Sequence, residues 1–389
     1  METSARLLLA ATALTAIALP PLAGAWLAGA SPVHYLALPP LPPPPQETEF
    51  RWSAFAAFAI AEVAVLAPFV LRLWQFRRAA VATRPAKPFP FWGWLALAAL
   101  LLCWGLAWAD VPQLAPLRRH AFTPLWFSYV VVINAWTLRR AGTCLLTAAP
   151  GRFIGLFAAS AAFWWSFEYL DQFAANWHYV NATAGGPWER FVAGTLPFST
   201  VLPAVIGTRD LLATFPAFHR ALDGWWRPPQ PSRRPAGWAT LGASVILLGL
   251  LGAYGKWLYP LVWLAPLGVI TGLQAVAGDR HVLTPLGRGD WGPLWLAAMA
   301  GLACGFLWEL WNWLSLARWS YSVPLVDGVH LFAMPLVGYG GYLPFGLICV
   351  AAARLLSGLD VRPFTYTLDM DQATRRRRDY RVTPAPDSE

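Results

Sequence analysis

Residues 153–172 read Phe153-Ile154-Gly155-Leu156-Phe157-Ala158-Ala159-Ser160-Ala161-Ala162-Phe163-Trp164-Trp165-Ser166-Phe167-Glu168-Tyr169-Leu170-Asp171-Gln172, and this stretch decides the fold. It is apolar on every side and carries no charge before Glu168, so it suits a helix surrounded by lipid or other helices better than an amphipathic surface helix. Crossing a hydrocarbon core of about 30 Å takes about 20 such residues.

The same stretch occurs twice. Phe163-Trp164-Trp165-Ser166-Phe167-Glu168-Tyr169-Leu170-Asp171, followed by Asn176-Trp177-His178-Tyr179, is matched by Gly305-Phe306-Leu307-Trp308-Glu309-Leu310-Trp311-Asn312, followed by Arg318-Trp319-Ser320-Tyr321. The shared skeleton is an acid, Asp or Asn three residues on, then Trp-x-Tyr. Upstream, Thr123-Pro124-Leu125 parallels Tyr259-Pro260-Leu261, and Ala141-Gly142 parallels Ala277-Gly278. Downstream, each copy has a Pro-containing segment, Pro197 with Pro203 and Pro335 with Pro344. These matches predict a parallel internal repeat of four helices per copy.

Working outward, about ten apolar segments of membrane-spanning length are expected, near 6–29, 51–74, 91–109, 122–138, 153–172, 191–213, 236–255, 257–277, 292–314 and 329–353. Pro20, Pro68, Pro203, Pro266, Pro335 and Pro344 fall within them as tolerable kinks, because neighbouring helices can satisfy freed carbonyls. The fold class is an all-α polytopic bundle. Its expected organisation is an N-terminal pair with an outer Pro-rich loop (1–88), a first four-helix repeat (89–215) and a basic loop (216–235). A second four-helix repeat (236–357) and a disordered basic tail (358–389) follow. Segment 6–29 reads either as a first helix or as a signal peptide.

Composition agrees. Of the 389 residues 57% are hydrophobic and only 13% charged, against about 25% charged in soluble proteins. That excludes an ordinary soluble fold, and the apolar content excludes wholesale disorder. The net charge of +9 would suit nucleic-acid binding, but the basic residues sit between apolar runs, as membrane loop charge does, so no nucleic-acid partner is expected. With both termini cytoplasmic, 23 of the 29 Lys and Arg fall on the inner side, including Arg77, Arg78, Arg84, the run Arg375 to Arg378, and Arg381. The outer side holds the other six, Arg51, Arg118, Arg119, Arg190, Lys256 and Arg318. This bias fits a bacterial-type inner membrane, with the bilayer itself as the one certain partner and protein partners unknown. The outer stretch Leu38 to Pro45 reads as a stiff polyproline connector.

The expected chemistry lies in the acids. Glu168 and Glu309 each fall 15 residues into a span, about 22 Å deep, and Glu62 lies about 15 Å into the second helix. An intramembrane carboxyl costs a few kcal/mol or more and is a functional-site candidate by default. A neutral acid among aromatic faces can protonate an alkene and shelter the resulting cation. The bland alternative is an acid that only hydrogen-bonds a neighbouring helix. The catalytic candidates are therefore Glu168 and Glu309, with Asp171 and Asn312 orienting them. Trp164, Trp165, Trp308, Trp311, Trp313 and Glu62 are the candidate substrate-binding residues. No cofactor motif and no metal site are expected. His34, His120, His178 and His330 share the outer side but lack metal-ligand spacing, and Cys103, Cys144, Cys304 and Cys349 read as small buried hydrophobes.

The duplicated motif, acid then Trp-x-Tyr then a Pro-containing helix, resembles membrane-embedded lycopene cyclases and related carotenoid hydratases over Glu168 to Pro203 and Glu309 to Pro344. The resemblance implies acid–base chemistry on a long polyene or other isoprenoid lipid within the bilayer. The paired Glu-Glu that follows the proline in those cyclases is replaced here by Phe198-Ser199 and Leu336-Val337. Two other functions suit the same residues, a lipid or proton-coupled transporter and a non-catalytic membrane assembly subunit.

Overall fold

The computed structural model describes residues 3–41, 43–76, 86–181, 185–229 and 233–364. Pro42, Arg77, Arg78, Arg84, the run Arg375 to Arg378, Arg381 and the tail beyond 364 lie outside the described residues. The chain folds into helices α1 (Thr3–Leu27), α2 (Trp52–Gln75), α3 (Phe91–Trp108), α4 (Ala115–Arg118), α5 (Phe122–Ala141), α6 (Leu145–Ala148) and α7 (Pro150–Ala174). They are followed by α8 (Pro187–Phe198), α9 (Val201–Ala213), α10 (Arg233–Tyr254), α11 (Leu261–Val276), α12 (Gly292–Trp313) and α13 (Tyr342–Ser357).

Among the described residues eight helical segments are long and apolar enough to cross a membrane, and the protein is a multi-pass membrane protein. Each of the ten expected segments contains a helix, but two fall short as single straight spans. Segment 122–138 is α5, preceded by the turn of α4 and bent from it by 57°. Segment 257–277 yields α11, of only 16 residues. Two more differ in detail. Residues 187–213 form one span in two pieces, α8 and α9, with the break two residues after Pro197. Segment 329–353 becomes helical in the α sense only from Tyr342, because Pro335 and the glycines Gly338, Gly340 and Gly341 favour a short strand and a 3-10 turn (Leu336–Gly341).

Four short strands also depart from an all-helical expectation. β1 (Trp177–Val180) pairs antiparallel with β2 (Arg318–Tyr321), and β3 (His330–Leu331) with β4 (Met334–Pro335). The first residues after α13 are likewise fixed, not free. Leu359 and Val361 are buried, Asp360 meets Arg280 at 3.7 Å, Arg362 meets Asp290 at 3.3 Å, and the Phe364 N–H donates to Asp210.

α7, α9, α12 and α13 form the centre. α12 packs on α9 and α13, and α7 on the same two, while α1, α10 and α11 flank one side and α3 with α5 the other. Lipid tails provide no hydrophobic drive between helices, so close packing must bind them, and small residues mark the crossings. A Cβ on Gly301 or Gly346 would collide with the backbone of the facing helix, which is how closely α12 and α13 approach. α2 is the outlier. It buries no residue fully, and it leans on the rest through Phe55 and Phe58 at one end and Phe69 at the other.

Candidate functional site

The two copies of the motif meet at one end of the bundle. α7 ends where Ala175 turns left-handed (φ 52°), and the chain returns at once into β1. α12 ends at Trp313 and returns into β2. In the β1–β2 register Trp177 stands opposite Tyr321 and Tyr179 opposite Trp319. A strand's period of two puts these four rings on one face. The two Trp-x-Tyr segments of the repeated skeleton are thus the two strands of one small antiparallel sheet.

Each glutamate takes a tyrosine hydroxyl from its own copy. Oε1 of Glu168 accepts from the Tyr179 hydroxyl (2.6 Å), Trp164 Nε1 (2.9 Å) and Trp177 Nε1 (3.3 Å). Oε1 of Glu309 accepts from the hydroxyls of Tyr321 (2.6 Å) and Tyr342 (2.7 Å). Tyr321 in turn accepts from Trp319 Nε1 at 2.7 Å. The Tyr342 ring fits because residue 305 is glycine, since a Cβ there would run into it.

Asp171 and Asn312 reach the glutamates indirectly. Asp171 Oδ1 accepts the Asn176 N–H at 2.8 Å and so holds the turn into β1. Asn312 bonds both backbone groups of Trp319, accepting its N–H at 2.9 Å and donating to its carbonyl at 2.8 Å. Both side chains set the strand that carries the tyrosine donor.

Beside this sheet lies a cavity of about 520 Å³, within the range of small-molecule sites. Glu168, Trp164, Trp165, Trp177, Tyr179 and Trp308 line it, as do Trp319, Tyr321, Tyr342 and, from α2, Glu62. Glu62 lies across Gly340, which leaves room for its side chain. Glu309 is fully buried and does not line the cavity, and its Oε2 has no hydrogen-bond partner among the described residues. Trp311 packs instead against Trp126 and Tyr129, and Trp313 is half-exposed beside Phe332, so neither reaches the cavity.

The sequence reading did not single out Tyr179, Tyr321, Tyr342 or Trp263, all of which line the cavity, as site residues. The Trp-x-Tyr repeat was a signal for the first two. Tyr342 lies 33 residues beyond Glu309, and no local pattern marks it. Pro39 and Pro40 of the proline-rich stretch also line the cavity, so that connector forms part of its wall. Among the described residues no three His, Cys, Asp or Glu side chains gather as metal ligands. His330 instead bonds Asp327 at 2.7 Å. No protein-family model, curated protein or solved structure matches this chain.

Proposed function

We propose that the protein holds an isoprenoid or other long-chain lipid in this cavity and performs acid–base chemistry on it, in the manner of a cyclase or hydratase. One observation supports this above the rest. Three donors converge on Oε1 of Glu168, which lines an aromatic cavity. With Oε1 held as the acceptor, the carboxyl proton belongs on Oε2, the oxygen left for the cavity. That is a positioned acid with the geometry general acid catalysis needs.

In the proposed step Glu168 Oε2–H gives its proton to one carbon of a substrate double bond, whose π electrons form the new C–H bond. The cation left on the adjacent carbon lies among indole and phenol faces, which attract positive charge. Either water adds to it and the resulting oxonium loses a proton, or a second double bond of the same chain closes a ring and moves the positive charge to its own far carbon, where loss of a proton from the adjacent carbon leaves a new double bond. The proton released in that second step passes to Glu62, the other carboxyl lining the cavity. Glu309 is a positioning residue in this scheme, holding the Tyr321 and Tyr342 hydroxyls that form part of the wall. α2, the least buried helix, is the side from which an apolar substrate enters laterally from the bilayer.

The finer topology belongs to the same proposal. We read ten spans in two fused parallel four-helix repeats behind an N-terminal pair, in a bacterial-type inner membrane with both termini inside and the cavity towards the outer face. The like roles of Glu168 with Tyr179 and of Glu309 with Tyr321 support a duplication.

The test is product analysis by mass spectrometry after incubating the purified full-length protein in liposomes with lycopene and, separately, with a lipid extract of the source membrane. The wild type is expected to add one water to a substrate or convert it to a cyclised isomer, and Glu168→Gln to do neither while melting at the wild-type temperature. Product formation by Glu168→Gln at the wild-type rate, or unchanged lipid in every wild-type sample, overturns the proposal.

A further inference from the structure

Arginines are scarce on the side of the molecule where the cavity opens. Six basic residues were assigned there from sequence, Arg51, Arg118, Arg119, Arg190, Lys256 and Arg318. Three of them are occupied elsewhere. Arg51 pairs with Glu49 at 3.0 Å, Arg118 with Asp110 at 3.7 Å, and Lys256 lies over Trp257. The other three all line the cavity, and His120 lines it beside them.

These three come from separate segments. Arg119 lies in the turn between α4 and α5, Arg190 in the first turn of α8, and Arg318 at the start of β2. Arg119 and Arg318 are exposed and Arg190 is half-buried, whereas Trp177 and Trp308 of the same cavity are buried. The charges therefore form the rim and the aromatic rings the interior. No carboxylate meets any of the three among the described residues. Arg190 gives Nη1 to the Gly185 carbonyl at 2.6 Å, Arg318 gives Nη1 to the Ser315 carbonyl at 3.4 Å, and the buried Arg190 Nε has no partner among the described residues.

A purely hydrocarbon ligand leaves such a rim without purpose. Arginines at a membrane interface ordinarily snorkel to bulk headgroups, but these three converge on one cavity that continues inward as a wall of indoles. Guanidinium forks suit phosphate oxygens in particular. We infer that the ligand is an isoprenoid lipid with a phosphate head, its head held by Arg119, Arg190 and Arg318 and its unsaturated tail lying along the tryptophan wall towards Glu168. This inference rests on the lipid-binding reading of the cavity proposed above.

The tryptophans that line the cavity make their own fluorescence the readout. Titration of the purified protein in mild detergent compares farnesyl phosphate, farnesol and inorganic phosphate, with phosphatidylglycerol as competitor. The expected result is saturable quenching by farnesyl phosphate, binding of farnesol at least about tenfold weaker, and none by inorganic phosphate. Phosphatidylglycerol should compete only weakly. The combined variant Arg119→Gln, Arg190→Gln, Arg318→Gln should bind farnesyl phosphate no better than farnesol while keeping wild-type farnesol affinity, which shows the cavity intact.

Equal affinity of the wild type for farnesyl phosphate and farnesol overturns the phosphate assignment and leaves the lipid cavity standing. So does undiminished farnesyl phosphate binding by the triple variant. Phosphatidylglycerol competing as well as farnesyl phosphate, or inorganic phosphate alone binding the rim, overturns the isoprenoid assignment. Failure of both farnesyl compounds to bind overturns the lipid-binding reading itself.

Discussion

Glu168 and Glu309 occupy matching places in two matching motifs, and each takes a hydroxyl from the tyrosine of its own Trp-x-Tyr. Glu168 lines the cavity, and its Oε1 accepts from Tyr179, Trp164 and Trp177. Glu309 is sealed, because Gly305 lets the Tyr342 ring lie over α12 and a second hydroxyl reaches it. One glycine and one tyrosine thus give two similar sequences different environments. The same residue in the same motif is a wall of the site in one copy and a buried anchor in the other.

The sharpest test of this contrast is truncation of each acid. Glu309→Ala opens a hole at a fully buried site off the cavity and takes the acceptor from the Tyr321 and Tyr342 hydroxyls, and is expected to cost about 3–5 kcal/mol, since cavity creation adds to the roughly 1–3 for each lost partner. Glu168→Ala frees donors that the cavity can hydrate and should cost less than half as much. Thermal unfolding in detergent measures both, and equal losses would break the distinction.

Gly305→Ala comes next, expected to destabilise by about 1–3 kcal/mol as the Tyr342 ring is forced aside. Its diagnostic feature is that adding Tyr342→Phe should cost little further, because the hydroxyl is already displaced. Fully additive losses in that double variant would mean that the ring does not depend on the glycine.

Removing single donors gives smaller effects. Tyr179→Phe and Tyr321→Phe should each lose about 1 kcal/mol. Only Tyr179→Phe should alter ligand affinity strongly, since it loosens the acid that faces the cavity. An equal change in ligand affinity from Tyr321→Phe would move Glu309 into the site.

The smallest effect is a control at the far end of the bundle. Burial pushes the His219 imidazole down to about 4, and its Nε2 lies 3.1 Å from the Ala213 carbonyl. Its folded value lies below the ordinary 6.5. The neutral ring therefore contributes stability that is present above about pH 6.5 and is lost as pH falls towards 4. The melting temperature should fall modestly over that range, and His219→Gln should flatten the change without affecting ligand binding. An unaltered pH profile in that variant would assign the acid sensitivity to other groups.

Much of the architecture was legible from residues alone. Apolar runs near 20 residues mark helices because an unpaired backbone cannot be placed in hydrocarbon, and every expected segment holds a helix. The motif pointed to Glu168, Trp164 and Trp165, which line the cavity, and also to Trp311 and Trp313, which do not. On a helix apolar on all sides, hydropathy does not say which ring faces a cavity, a neighbour or lipid. Asp171 and Asn312 orient the strands that carry the tyrosine donors and reach the glutamates only through them. An i+3 spacing places them near the glutamates, but both bond backbone in the turn that follows.

Composition and order of residues determined that this chain enters a membrane, where its helices lie and that its acids are set among aromatic rings, because transfer of apolar surface and backbone satisfaction are local, additive costs. Tertiary structure alone decided that the two Trp-x-Tyr segments pair edge to edge, that Tyr342 closes over Glu309, and that Arg119, Arg190 and Arg318 share one cavity with Glu168 and Glu62. Those contacts join residues far apart in the chain, and their energies depend on which surfaces meet, a property of the packed bundle and of no single segment.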